Sequence, residues 1–416
     1  MKARYYLFVV LLLCFNLSNG QNKADYFTSI IDTTSSLDVK LNTIDSLFYF
    51  YKDIDSKKAA LYGENYINLA FEMEEYEKAI KKTIRIFHTI NIQLGQPGRA
   101  MKLAEKAEKH LNKTTSSYLK GGIYLKKGGS YFNENNFQEA INNYNLAITN
   151  YSTSDSIYIA DAIFFRGQVY FELGNFLKSI DDYKLASKYY EKLGDRGYMF
   201  YTLASIISIN GVNGFTEKAI EERAQLIKKK LEINFLEGLS IDYYNQFSSY
   251  MKTNNKEKQE EYLLKSIEYS IKEKNNQNNI SLIYSTLSKF YVDTDLKKSK
   301  EYLDKATKLL TSEDKSANNY KQYRRAKATY LFKTNRKEIA LTLFLKSLKD
   351  AEKSKNYHNI LEINKSISQV YEAKDDYKSA SKYYKRYTFI KDSIFNRTKT
   401  NALVYYQTLY ETEKKG

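Results

Sequence analysis

The chain has 416 residues, of which 43% are hydrophobic and 27% charged, with 16 glycines and one proline. That Gly and Pro content, about 4% against a usual ~12%, excludes collagen-like, linker-like and Pro-rich disordered chains and leaves too few turn formers for an all-β fold. The formal charge of +16 comes from 65 basic and 49 acidic residues, mostly lysines interspersed with Glu and Asp along the whole length, which reads as solvated helix faces; with no clustered basic patch, nucleic acid is not expected as a partner.

In chain order, Lys2 and Arg4 precede an apolar run from Tyr5 to Leu13, and Ser18-Asn19-Gly20 is a small-x-small site. The pattern predicts a secretory signal peptide over residues 1–20, with the mature chain starting at Gln21. Cys14 is the single cysteine. Leu13 stands where a lipoprotein needs a small residue, so lipidation is not expected, and an exported chain has no thiol for a disulfide, nucleophile or metal ligand. No later stretch reaches ~18 uninterrupted apolar residues, the length of a membrane span.

The next signal is self-similarity. Tyr131-x3-Asn135-Asn136-Phe137-x2-Ala140-x3-Tyr144-x2-Ala147 returns as Tyr170-x3-Gly174-Asn175-Phe176-x2-Ser179-x3-Tyr183-x2-Ala186. It returns again as Tyr371-x3-Asp375-Asp376-Tyr377-x2-Ala380-x3-Tyr384-x2-Tyr387. Each copy predicts a helical hairpin: an aromatic closes the first helix, a polar turn follows, and a small residue lets the second helix approach closely. Following that small residue along the chain gives Ala59, Ala100, Ala140, Ser179, Ala219, Gln259, Ser299, Ala340 and Ala380, a period near 40 residues. Gln259 is large for its slot, Asn210 replaces the aromatic of the fifth copy, and the seventh and eighth copies are one residue out of step before their second helix. Pro97 falls in the turn of the second copy.

These spacings resemble the tetratricopeptide repeat (TPR). The resemblance implies an all-α, right-handed superhelical solenoid of about nine hairpins over residues 21–388, with a separate helical tail at 389–416. It also implies a concave groove lined by the first helices, in which a peptide or protein segment is held. Carried over copy by copy, the groove candidates are Leu125 and Gly129, Phe164 and Gln168, Ala204 and Ser208, Tyr244 and Ser248, Lys365 and Gln369. Arg325 and Thr329 join them if the eighth copy is in register. The Lys and Asn pattern of chaperone-binding TPRs, set over three consecutive copies, is absent.

Residues 40–47 and the tail segments 391–396 and 409–415 resemble the sensor region of bacterial periplasmic TPR-containing histidine kinases and helix-turn-helix regulators. That resemblance implies a periplasmic protein acting as a sensor or adaptor in signalling, with a membrane-bound signalling partner. Neither output domain occurs in these 416 residues, so kinase or DNA-binding activity is not carried over. A stand-alone adaptor, a sensor without its output half and a piece of a longer sensor all fit, as does an envelope-assembly protein with no signalling role. Leu403, Tyr406 and Tyr410 make an apolar stripe beyond Asp392. The tail is expected either to fold back near Tyr384 and Tyr387 or to pair with a second copy as a homodimer.

Catalysis has little to rest on. His88, His110 and His358 lie in different copies without a second ligand at metal spacing. Gly121-Gly122 and Gly128-Gly129 fall inside a helix, where they allow close packing and form no phosphate loop. No enzyme activity, cofactor or metal is expected.

Overall fold

The computed structural model describes residues 23–273, 277–310, 318–354 and 356–413; the expected signal peptide lies outside them. The described residues are helical and contain no strand. After a helical segment at 23–33 come nine hairpins, hairpin n pairing α(2n−1) with α(2n). The helices are α1 Leu37–Tyr51, α2 Ser56–Glu72, α3 Tyr76–His88, α4 Pro97–Glu108, α5 Ser117–Asn133 and α6 Phe137–Asn150. They continue as α7 Ser156–Glu172, α8 Phe176–Lys192, α9 Arg196–Val212, α10 Thr216–Glu232, α11 Leu239–Thr253 and α12 Lys256–Lys272. The last six are α13 Gln277–Tyr291, α14 Leu296–Lys308, α15 Asn318–Lys333, α16 Lys337–Lys353, α17 Tyr357–Glu372 and α18 Tyr377–Glu413.

The small-residue series is the key to the packing. Each of its nine members is the fourth residue of its second helix, and all nine are at most 8% exposed. Alanine suits this contact because any longer side chain would hold the helices apart. Where the residue is polar, its side chain bonds the facing backbone. Ser179 Oγ donates to Gly167 O at 2.8 Å and Ser299 Oγ to Ser288 O at 2.9 Å. Gln259 fits the same way, its Nε2 donating to Tyr250 O at 3.0 Å. Asn210, in an aromatic slot, is 3% exposed and donates to Glu222 Oε2 at 2.7 Å.

Asparagine supplies most of the turns that glycine is too scarce to fill. Asn135, Gly174, Gly214, Asn254, Asn335 and Asp375, between the two helices of their hairpins, all have φ between +57° and +88°, the left-handed conformation that Gly and Asn tolerate best. In the turns after α5, α7 and α17, the next residue returns its N–H to the aromatic, as in Asn136 N to Tyr131 O at 2.9 Å. The eighth hairpin uses the same bond, Arg336 N to Leu331 O at 2.8 Å. The eighth copy is therefore in register, with Leu331 in the aromatic's place. The seventh does differ. The spacing from Tyr291 to Ser299 is one residue shorter than that from Tyr131 to Ala140, the turn has no positive φ, and Asp295 caps α14 by accepting from Lys298 N at 2.9 Å. The first hairpin makes the same kind of turn, with Asp55 accepting from Lys57 N and Lys58 N. Pro97 is the first residue of α4, where its missing N–H costs nothing.

The chain divides into two compact units, 1–199 and 200–416. The first has a core running from Leu41 through Ile67, Ile86 and Ala104 to Ile123. In the second, clusters around Leu263 and Leu287, and around Phe344 and Ile367, do the same.

The tail departs from expectation. No separate helix begins near Asp392: α18 is one helix of 37 residues from Tyr377 to Glu413. It does not fold back on Tyr384 and Tyr387, which lie on the same helix. Instead Tyr405, 8% exposed, and Tyr406 set their rings edge-on against Phe215, with centroids 5.5 and 4.8 Å away. Leu403 is exposed, and the Tyr410 side chain lies outside the described residues. Of the expected stripe Tyr406 makes this contact and Leu403 does not, while the buried ring is its neighbour Tyr405.

Candidate functional site

In the first unit a cavity of about 530 Å³ opens between the first helices of hairpins two, three and four. Phe87 and His88 reach it from α3, and Asn91 and Ile92 from the π-turn at Thr89–Gln93 that extends that helix. From α5 come Tyr118, Leu125, Lys126 and Gly129, and from α7 Tyr158, Asp161, Phe165 and Gln168. Tyr144 and Tyr151 close its wall.

The glycines of α5 build this space. A Cβ on Gly121 would stand 2.5 Å from the Tyr151 ring, one on Gly122 2.6 Å from Ile84 and one on Gly128 2.7 Å from the Tyr144 ring. These three let neighbouring side chains press onto the helix backbone. Gly129 differs: its Cβ would find only the Tyr144 hydroxyl, at 3.8 Å. It is an opening in the wall.

The cavity is apolar with a few polar groups. Burial pushes the Lys126 ammonium down, an effect partly offset by the charge of Asp161. Burial pushes the Asp161 carboxyl up, against a hydrogen bond donated by Tyr190 Oη at 2.7 Å. The Tyr144 and Tyr151 phenols are raised by burial, so both remain donors across the ordinary pH range. Of the other histidines, His110 is packed beside the Phe71 and Tyr76 rings, 5.0 and 4.9 Å between centroids. Among the described residues no cluster of three metal-ligating side chains occurs.

The structure brings Leu125, Gly129 and Gln168 together in this cavity. Phe164 is placed elsewhere: it is 2% exposed and packs edge-on with Phe165 and against Tyr183 in the core. A one-residue step around α7 exchanges it for Phe165, which does line the cavity. Lys126, Asp161 and the four tyrosines were not among the expected residues, because the family pattern marks only two positions per helix.

In the second unit Ser208 Oγ donates to Ala204 O at 2.8 Å and accepts from Arg223 Nη2 at 3.2 Å. Arg223 and Lys230 share Asp242 in a buried ion-pair cluster, so Ser208 belongs to a structural network. Tyr244 on α11 and Arg325 on α15 are joined through Thr286 and Gln322. Tyr244 Oη meets Thr286 Oγ1 at 3.2 Å, Gln322 Nε2 donates to the same Thr286 oxygen at 3.5 Å, and Arg325 Nη2 donates to Gln322 Oε1. Thr329 Oγ1 and Ser248 Oγ each donate to the carbonyl four residues back, Arg325 O and Tyr244 O. Lys365 and Gln369 are exposed on α17, Lys365 with its ammonium 6.0 Å from the Tyr387 ring centre. Lys289 holds the matching place on α13. It stands two residues before Tyr291 as Gln369 stands two before Tyr371, and the one-residue-shorter spacing from Tyr291 to Ser299 hides it from a count based on the small residue.

No helix among the described residues is long and apolar enough to cross a membrane. Residues 121–153 and 160–193, the third and fourth hairpins, match the tetratricopeptide repeat family. No curated protein matches the sequence. Among solved structures, the chain is similar to a Rap protein complexed with competence and sporulation factor, at 16% identity over 86% of this chain and 98% of that one, TM-score 0.55. It is similar to the Rap conjugation gene regulator of plasmid pLS20 in complex with the Phr* peptide, at 14% identity over 81% and 94%, TM-score 0.54. It is also similar to the quorum sensor NprR from B. thuringiensis in its apo form, at 11% identity over 90% and 99%, TM-score 0.56. The third and fourth hairpins thus match the tetratricopeptide repeat, and these likenesses together with the hairpin geometry show a TPR-like helical solenoid fold.

Proposed function

We propose that this protein binds an extended peptide or protein segment along its first helices, and that the cavity between α3, α5 and α7 receives an apolar or aromatic side chain of that ligand. The observation that carries the reading is the cavity itself. It has ligand-site volume, aromatic walls and a small number of convergent polar groups, among them Lys126, Asp161 and Gln168. Two of the similar structures are complexes, one with competence and sporulation factor and one with the Phr* peptide; the likeness in fold makes the same mode of use reasonable here. No chemical step is assigned to the site.

Export to the periplasm and a place in signalling, with a membrane-bound partner, complete the proposal; their support is the signal-like N-terminus and the resemblance to periplasmic sensor regions. An envelope-assembly role would use the same groove without a signalling partner.

The test is selection of binders from a displayed random peptide library, followed by affinity measurement against Gly129→Leu. The leucine enters open space at the cavity wall. Selected peptides should carry an aromatic or large apolar residue, and the variant should bind them about tenfold more weakly, as expected when an anchor side chain loses its pocket. Unchanged affinity in a folded variant would overturn the assignment of the cavity.

A further inference from the structure

The last helix carries its charge differently from the second helices before it. On α12 and α14 exposed lysines are neutralised one turn away on their own helix: Lys265 by Glu261, Lys272 by Glu268, Lys300 by Asp304 and Lys305 by Glu301. On α18 Lys378, Lys382, Lys385, Lys391 and Lys399 are all exposed, and none makes an ion pair among the described residues. Arg386, on the same helix, shows the contrast by pairing with Glu352 at 2.6 Å. Between Lys378 and Lys399 the one acidic residue is Asp392.

Helix geometry gathers these lysines, which are dispersed in sequence, onto one side. Ile390 holds α18 to the core, with Tyr383 and Ile394 packed beside it, so the opposite side faces outward. At about 100° per residue, Lys378, Lys385 and Lys399 lie within about 40° of the line opposite Ile390 and Ile394, and Lys382 and Lys391 stand at the two edges. Phe389 and Phe395 lie about 60° to either side of the same line. They are 74% and 65% exposed, and among the described residues no other phenylalanine is exposed. Leu403, also exposed, continues the face one turn beyond Lys399.

The charge chooses what covers this face. A second copy of the chain would set the same lysines against these, and like charges at a contact are costly. Nucleic acid would match the charge, but base edges are read by side chains with hydrogen-bonding groups in fixed geometry, and here flexible ammonium stems surround rings with no polar atom. The surface of an anionic bilayer satisfies both features. Its headgroups attract the ammonium groups, and the boundary between headgroups and acyl chains accepts phenyl rings. Long lysine stems keep their charges at headgroup level while the rings go deeper.

We propose that the outward face of α18 between Lys378 and Lys399 binds the surface of an anionic lipid bilayer, with the lysines at the headgroups and Phe389 and Phe395 inserted among them. The helix lies along the surface and does not cross it. The proposal is independent of the peptide-binding reading, which concerns the first helices.

The experiment uses the full-length protein. The chain has no tryptophan, so Phe389→Trp places a single reporter on this face; Ile339→Trp, at an exposed position on α16, is the control. With phosphatidylglycerol vesicles the Phe389→Trp emission should move to shorter wavelength and be quenched by lipids brominated in the upper acyl chain. With phosphatidylcholine vesicles it should do neither, and salt raised to about 0.5 M should abolish the response. The control should stay unchanged with both vesicles, which separates this face from any attachment through the N-terminal apolar run. In the Phe389→Trp background, Lys385→Gln and Lys399→Gln together should weaken binding about 25-fold, about fivefold for each lysine, and Phe395→Ser should weaken it about tenfold. These side chains are exposed and make no ion pair, so the variants are expected to fold, and far-UV circular dichroism checks this. No response to phosphatidylglycerol, an equal response to phosphatidylcholine, an equal response in the control, or unchanged binding in the double Gln variant would each overturn the proposal. So would a shift that appears on concentrating the protein without vesicles, the sign of a second copy, or one produced by a single-stranded oligonucleotide and not by the vesicles. None of these outcomes bears on the peptide selection, and failure of that selection would leave the vesicle titration unaffected.

Discussion

Gly128 and Gly129 are adjacent on α5 and should respond in opposite senses to the same substitution. Alanine in place of glycine inside a helix gains about 0.8–1.0 kcal/mol from the lower entropy of the unfolded chain and better propensity. At Gly129 nothing opposes that gain, since the new Cβ would lie 3.8 Å from the Tyr144 hydroxyl, an ordinary contact. At Gly128 the Cβ would come within 2.7 Å of Tyr144 Cδ1 and Cε1. The Tyr144 ring is 2% exposed and stacked on Phe165, so a shift toward the cavity would give up that packing. Overpacking of this kind costs about 1–3 kcal/mol. Gly129→Ala should therefore stabilise the first unit, and Gly128→Ala should leave it unchanged to about 2 kcal/mol worse, with the two variants separated by about 1–3 kcal/mol. Because repeat proteins can unfold in stages, the assay is urea unfolding combined with amide exchange of α5 and α6. Equal stabilisation by both substitutions would refute the account of how α5 is packed.

Ala140, fully buried as the fourth residue of α6, should lose about 1–3 kcal/mol on substitution by leucine, read as a lower unfolding midpoint. Burial raises the Asp161 carboxyl above its usual value of 3.8, with Asp195 adding to the rise and Tyr190 and Lys126 opposing it. Between the unfolded value and the raised one the native state binds a proton that the unfolded state releases, so this contribution to stability is full below that window and lost as pH rises through it. Wild type should accordingly gain on Asp161→Asn as the pH is lowered from about 7 to about 4, and parallel urea midpoints across that range would show the shift to be inconsequential. Tyr405→Ala removes both its buried ring and the edge contact with Phe215. Amide exchange over residues 400–406 should speed up several-fold, in line with the about 0.5–1.5 kcal/mol of such ring pairs; unaltered exchange would mean that the tail is held by something else.

The hairpin architecture was legible because one geometric demand, close approach of two helices, recurs at one place in every repeat and admits few residues. The series from Ala59 to Ala380 records it directly. The exceptions were legible only as exceptions. Gln259 and Asn210 fit through hydrogen bonds to Tyr250 O and Glu222 that sequence spacing does not reveal. The seventh turn lost its left-handed residue, which moved Lys289 out of the expected count. Of the residues expected from the pattern, Leu125, Gly129 and Gln168 line one cavity, whereas Phe164 is packed in the core and its neighbour Phe165 takes the place at the cavity wall. The docking of Tyr405 on Phe215 joins residues 190 positions apart, and no periodic signal spans that separation.

The central claim is that ligands lie along the first helices, with an anchor in the cavity of the first unit. Photo-cross-linking tests it most directly: peptides from the library selection, remade with a photoreactive phenylalanine at the anchor position, are irradiated with the protein and the attachment points read by mass spectrometry. The account expects adducts on α3, α5 and α7, at residues such as Leu125, Phe165 and Gln168. Adducts confined to the second helices, α4, α6 and α8, would contradict it.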